Sequence, residues 1–155
     1  MEKMVNDILA EVRKSALELK TGGPFGAVVY KNGEIVGKGV NRVLDANDPT
    51  AHAEIVAIRN ACQKLKTHDL TGCELYATGQ PCPMCLSAII WANIKKVYFS
   101  CDVNDAEAIG FRDKFIFDFL KENCLNKNIV VFEQVEKKDI LELYKEFNEM
   151  KGTIY

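Results

Sequence analysis

The chain has 155 residues, 48% of them hydrophobic and 27% charged, and a net charge of −2. That length is one ordinary domain, long enough to bury a core without staples. The slightly acidic balance excludes a protein held to nucleic acid by a broad basic surface.

The first twenty residues are helical by pattern, with Val5, Ile8, Leu9, Val12, Ala16 and Leu19 recurring at three- and four-residue spacing. The same segment mixes acids and bases where a signal peptide needs an apolar run, so no leader is expected. No stretch reaches the length of a membrane span. Thr21-Gly22-Gly23-Pro24 ends the helix. FGAVVY (25–30) and EIVGKGVNRV (34–43) read as strands, and the Asn32-Gly33 pair between them as a hairpin turn. Asn47-Asp48-Pro49-Thr50 offers a helix start, with Ile55, Ile58, Cys62 and Leu65 on the apolar face of the helix behind it. CELYAT (73–78) is a strand, and MCLSAIIWAN (84–93) a largely buried helix whose Trp91 is assigned to the core. KKVYFS (95–100) is another strand. Residues 113–123 are helical, anchored by Phe115, Phe119 and Leu120. NIVVFEQV (128–135) makes a fifth strand, and Asp139 to Lys151 a final amphipathic helix. This order predicts an α/β fold, a three-layer α-β-α sandwich around a mixed five-stranded sheet, in a single domain over 1–155.

Six cysteines raise the question of a disulfide framework. With no leader expected, the chain is placed in the cytoplasm with its thiols reduced. Two of them stand in Pro81-Cys82-Pro83-Met84-Cys85. Cys82 and Cys85 share a face where a helix starts, and a helix N-terminus lowers thiol pKa, which suits a metal ligand and a redox nucleophile alike. Two core cysteines beside prolines would read the same way. His52-Ala53-Glu54, at another helix start upstream, weighs against the redox reading, because a dithiol needs no distant histidine and glutamate. One imidazole and two thiolates make three zinc ligands and leave a fourth tetrahedral position for water, a catalytic stoichiometry. A structural site needs a fourth protein ligand. Cys73, Cys101 and Cys124 stand in no ligand-like pair, and Cys62 falls on an apolar helix face. Zinc brings the pKa of water towards neutrality, and a carboxylate must then move protons. Glu54 is the candidate. Residues i and i+2 of a helix do not share a face, so the metal is expected off the helix end, with Glu54 reaching past His52. The plain alternative for Glu54 is a first-turn acid on the helix dipole.

His52-Ala53-Glu54 together with Pro81-Cys82-Pro83-Met84-Cys85 resembles the signature of the zinc-dependent cytidine deaminase-like superfamily. The likeness runs from about Gly22 to the C-terminus. GGPFGAVV (22–29), NDPTAHAE (47–54), DAEAIGFRDKFIF (105–117) and the terminal Tyr155 resemble its bacterial guanine deaminase branch. The resemblance implies a cytidine deaminase-like fold, one zinc per subunit on His52, Cys82 and Cys85, and hydrolysis of a free purine base, guanine to xanthine and ammonia. It implies Glu54 as proton shuttle, Asp113 as a second one, and Phe25, Asn41 and Ala53 as contacts to the base. Tyr155 would enter the partner's site through a swapped C-terminal segment of a homodimer. Each has a plain rival: Phe25 as core, Asn41 as a turn former, Asp113 as the cap of the next helix, the tail as a frayed end. Gln80 departs from the pattern, since many members carry glutamate there; an amide is expected to spare zinc and to bear on substrate recognition. Three other functions stay open. A tRNA adenosine deaminase, or another nucleobase or nucleoside deaminase, shares the signature, although tRNA calls for basic surface and the terminal helix here is charge-balanced in an acidic chain. A non-enzymatic zinc-stabilised interaction module and a redox dithiol protein, with no zinc and a reducible Cys82–Cys85 disulfide, are the others. The expected partners are a small nucleobase and a second copy of the chain, with no membrane and no nucleic acid.

Overall fold

Asn32 and Gly33 both take positive φ, +52° and +81°, the turn geometry that joins two antiparallel strands with matching twist. This computed structural model describes residues 2–154, and the hairpin of β1 (Gly26–Lys31) and β2 (Glu34–Val40) begins its sheet. β3 (Cys73–Gly79) pairs antiparallel with β1, and β4 (Lys96–Cys101) pairs parallel with β3. The order is β2-β1-β3-β4.

Helices cover both faces. α1 (Glu2–Arg13) packs Ile8 and Val12 on Val28, Tyr30 and Tyr76. α2 (Ala53–Leu65) and α3 (Pro83–Trp91) cover Ala27, Val29, Leu75 and Ala77 on the other side. Successive strand residues thus feed opposite layers, the period-two rule of a sheet buried on both faces. α3 is also the crossover that the parallel β3–β4 pair requires.

The expected apolar face of α2 is only the flank of what meets the sheet: Ile58, Cys62 and Leu65 pack against the core from its edge. Ala53, Ala57 and Ala61 are fully buried, while Ile55, Ile58, Cys62 and Leu65 are only half-buried. The reason lies in β2. A Cβ at Gly39 would stand 2.2 Å from the Ala53 carbonyl oxygen, and one at Gly37 2.4 Å from that of Ala57. Small residues on both partners bring backbone against backbone, and the larger side chains are left on the flanks.

Among the described residues four strands form, not five. Residues 130–137 have no regular structure, and Val131, Phe132 and Val135 are exposed. Alternating apolar residues make a strand only beside an edge that accepts their N–H and C=O groups, and the ladders hold β1 to β4 alone. Nor is α3 largely buried. It hides Cys85 and Ile89 and presents Leu86, Ile90 and Trp91, with Trp91 71% exposed. After Arg13 the first helix widens into a π-turn, Lys14–Glu18, which breaks the 3.6-residue phase and leaves Leu17 and Leu19 exposed.

A short helix escaped the periodicity reading: α4 (Val103–Ala108), opened by Asp102 and Asp105, which cap each other's backbone N–H groups. α5 (Lys114–Lys121) and α6 (Lys138–Glu149) follow. Of the expected anchors only Phe119 is buried; Phe115 and Leu120 are exposed.

The chain divides into two compact units, Met1–Asp118 and Phe119–Tyr155. The first holds the whole sheet. In the second, Phe119 stacks on Phe132 with centroids 6.5 Å apart, and α6 buries none of its residues. Among the described residues, no helix is long and apolar enough to cross a membrane.

Candidate active site

Two helix N-termini meet in the first unit. Asp48 Oδ1 accepts the N–H and hydroxyl of Thr50 at 2.8 and 2.6 Å, an Asx turn that delays the helix past the Asn47–Thr50 start expected from sequence. His52 therefore becomes the N-cap of α2, with extended backbone, and its ring leaves the helix end. Cys82 holds the same position on α3, with Pro83 inside the first turn, and Cys85 follows on that turn. Both helices present their positive ends here, where thiolates are stabilised.

His52 Nδ1 lies 3.7 Å from Cys82 Sγ and 3.6 Å from Cys85 Sγ, and the three ligand atoms stand within 4.8 Å of one another. Bonds of ~2.0–2.1 Å to nitrogen and ~2.3 Å to sulfur at a tetrahedral angle place N and S about 3.6 Å apart. The residues present fit zinc. The Cys82 thiol is held down to about 4, first by the hydrogen bond from Cys85 and then by His52, against its burial. The Cys85 thiol is pushed up by that same bond, by burial and by Glu54. The bond to Cys82 raises the His52 imidazole. A divalent cation on these atoms displaces the remaining protons.

Glu54, in the first turn of α2, is 7% exposed. Burial pushes its carboxyl up, with the Cys82 thiolate adding to this, while its own backbone N–H and His52 oppose the shift. It lines a cavity of about 580 Å³ together with Phe25, Asn41, His52, Cys82 and Asp113, a size usual for small-molecule sites. Asn41 is buried just beyond β2; its Oδ1 accepts the Val43 N–H at 3.1 Å and its carbonyl the Thr21 hydroxyl at 2.9 Å. Phe25 precedes β1 and is half-buried at the cavity wall. Asp113 also lines the cavity. Its carbonyl accepts the N–H groups of Ile116 and Phe117 ahead of α5, and its carboxyl is pushed up by burial and then by the Cys82 thiolate.

Ala53 does not line the cavity; it is wholly buried in the core that α2 shares with the sheet. Tyr155 lies outside the described residues. Gln80 is in the wall, its backbone N–H bonded to Cys101 O at 2.8 Å. Other wall residues had no role assigned from sequence, among them Gly22, Gly23 and Phe111. A Cβ at Gly22 would fall 2.0 Å from Asn41 Oδ1, so the Gly-Gly doublet before Pro24 was the available signal.

Comparison with known proteins agrees with this geometry. Residues 1–101 match the family described as the cytidine and deoxycytidylate deaminase zinc-binding region. The chain is 46% identical to the guanine deaminase of Bacillus subtilis over 112 residues, covering 72% of each chain. It is 42% identical to the tRNA-specific adenosine deaminase of Aquifex aeolicus over 125 residues, 80% of this chain and 79% of that one. The X-ray structure of the Bacillus subtilis guanine deaminase superposes with a TM-score of 0.89 at 35% identity, covering 99% of this chain and 97% of the other.

Proposed function

This chain belongs to the cytidine and deoxycytidylate deaminase zinc-binding family and is a zinc-dependent aminohydrolase, and from that premise we propose that it hydrolyses guanine to xanthine and ammonia. One observation carries the chemistry: the buried Glu54 carboxylate stands beside the His52, Cys82 and Cys85 cluster in the wall of the cavity. The guanine assignment is supported by a structural likeness to guanine deaminase that spans nearly the whole chain.

Zinc on His52, Cys82 and Cys85 supplies a Lewis acid that renders water nucleophilic near neutral pH. Glu54 takes a proton from the attacking water and hands it to the ring nitrogen beside C2, while the oxygen bonds to C2. The hydroxyl now on C2 gives its proton to Glu54, and Glu54 with Asp113 passes it to the amino group, so that the C2–NH₂ bond breaks to leave a C2 carbonyl and ammonia. A carboxyl raised by burial is suited to receiving and holding that proton. Asn41 Oδ1 is engaged by Val43, so its Nδ2 is the group left to donate to the base. Phe25 offers its ring for stacking, and a contact of the base with Ala53, which is wholly buried, would be through its backbone.

The 155 residues act as one deaminase domain in a cytoplasmic homodimer, with Tyr155 completing the partner's site through an exchanged C-terminal segment. Two features support this. The chain divides after Asp118, and apolar side chains stand exposed in both units, including Trp91, Phe132, Val135 and Met150. A tRNA substrate is the second reading, favoured by the Aquifex aeolicus relative and opposed by the net charge of −2. Ammonia release from guanine, adenine, cytosine, their nucleosides and a tRNA anticodon stem-loop separates the two. Turnover of guanine is expected. Turnover confined to the stem-loop would overturn the substrate and leave the metal chemistry standing.

A further inference from the structure

The segment that delivers Asp113 to the cavity has little to hold it there. After α4, Gly110 turns the chain at a φ of +94°. The N–H groups of Gly110 and Phe111 return to the carbonyls of Glu107 and Ala106, so the turn is fastened to its own helix and not to the sheet. Among the described residues, no side-chain hydrogen bond or ion pair joins residues 109–113 to the strands, and the Asp113 carboxyl feels burial and neighbouring charges but no hydrogen bond.

The Phe111 ring supplies the missing tie. It meets Phe25 edge to face, with centroids 4.9 Å apart and planes at 87°, a favoured arrangement of two aromatic quadrupoles. Phe25 itself is firmly placed. Its N–H donates to Gly23 O at 2.8 Å, and its carbonyl accepts the Asn41 N–H at 3.0 Å. The two rings share a seat with no side chain in it. A Cβ at Gly23 would lie 2.8 Å from Phe111 Cζ and 2.9 Å from the Phe25 ring, and one at Gly79 would lie 3.3 Å from the other edge of Phe25.

We infer that Phe111 is a positioning residue, whose contact with Phe25 over Gly23 latches the 109–113 segment so that the Asp113 carboxyl stays in the cavity. The inference rests on the reading of Asp113 as second proton carrier. The assignment of Phe111 is separate from any stacking by Phe25, because a latch acts through Asp113 and a stacking wall acts on the base directly.

The test is steady-state kinetics on guanine with the purified zinc enzyme, for Phe111→Ala, Phe111→Leu, Asp113→Asn and the Phe111→Ala/Asp113→Asn pair. Phe111→Ala is expected to lower kcat about tenfold with KM changed less than about threefold and zinc content unchanged. Leucine keeps an apolar contact with Phe25 and should restore most of the rate. In the Asp113→Asn background, Phe111→Ala should cost almost nothing further, since the group it positions is gone. Phe111 is 39% exposed, so truncation opens no deep cavity. Gly23→Ala, which displaces both rings, is a second route to the same loss of kcat. A parental rate for Asp113→Asn removes the proton-carrier reading and the latch together. A slow Asp113→Asn beside a fast Phe111→Ala, losses that multiply in the pair, or a change in KM alone removes the latch only.

Discussion

Strands β1 and β3 and the segment 128–135 are built from the same kind of sequence, and only the first two become sheet. GAVVYK and CELYATG are apolar and rich in β-branched or aromatic residues, as is NIVVFEQV. Val28, Val29, Leu75 and Ala77 are buried to within 1% exposure, whereas Val131 and Val135 are 55% and 79% exposed. Composition does not separate these cases. β1 lies between β2 and β3 and is covered on both faces, while 128–135 belongs to a unit with no strand among its described residues. A hydrophobic pattern states that a partner is needed, and topology decides whether one chain provides it.

The largest test of what the ordered region achieves is Glu54→Gln. The amide keeps the shape and loses the proton, so guanine turnover should fall by about 10²–10⁴-fold. Zinc content by metal analysis should be unchanged, because the ligands are His52, Cys82 and Cys85. A near-parental rate would remove Glu54 from the chemistry and leave a well-ordered region with no reaction to serve.

Gly39→Ala probes the same region at its closest packing. The added Cβ meets Ala53 O at 2.2 Å and Ala57 N at 2.5 Å, and backbone atoms of a packed helix have little room to yield. Overpacking of this kind costs about 1–3 kcal/mol in denaturant unfolding. Because α2 carries both His52 and Glu54, activity should fall with stability. An unchanged midpoint would mean that α2 floats on the sheet.

The site was more legible in the sequence than the fold, for reasons visible in single residues. His52, Glu54, Cys82 and Cys85 are few, chemically distinctive and close to helix starts, so a short motif carried their geometry. The burial of Ala53, Ala57 and Ala61 was not legible, because alanine gives no amphipathic contrast and the glycines that admit it lie in another element. α4 was missed because its signal is a pair of reciprocal aspartate caps, not an apolar period. Phe111 stood inside a run that resembled the family but had no role of its own there, since its meaning depends on Phe25 and Gly23 standing beside it in space.

Exposed apolar surface, present in both units, offers a gentler test. Trp91 on α3 and Val135 in the second unit are 71% and 79% exposed in the single chain. In the proposed homodimer a partner covers such residues, and a buried interface tryptophan often contributes about 2 kcal/mol or more. Trp91→Ser should therefore raise the dimer dissociation constant by roughly thirtyfold in sedimentation equilibrium. Val135→Ser should raise it less, in proportion to its smaller area. Equal behaviour of both variants and the parent would mean that neither residue meets a partner.

The smallest effect concerns how α1 is tied to the sheet. Asp7 accepts from Lys3 at 2.7 Å and from the Tyr30 hydroxyl at 3.0 Å, and those bonds, Lys3 first, lower its carboxyl below the usual carboxylate range despite some desolvation. A depressed folded pKa stabilises the fold above the unfolded value and loses that contribution as pH falls through the folded one. The window is thus the acid side of the ordinary carboxylate pKa, and neutral pH lies wholly within the stabilised range. Asp7→Asn removes the titration. Its melting temperature should be slightly below that of the parent at neutral pH, and the gap should close as both are acidified. A gap that persists unchanged at low pH would assign the effect to packing of α1 on Tyr30, and not to the charge on Asp7.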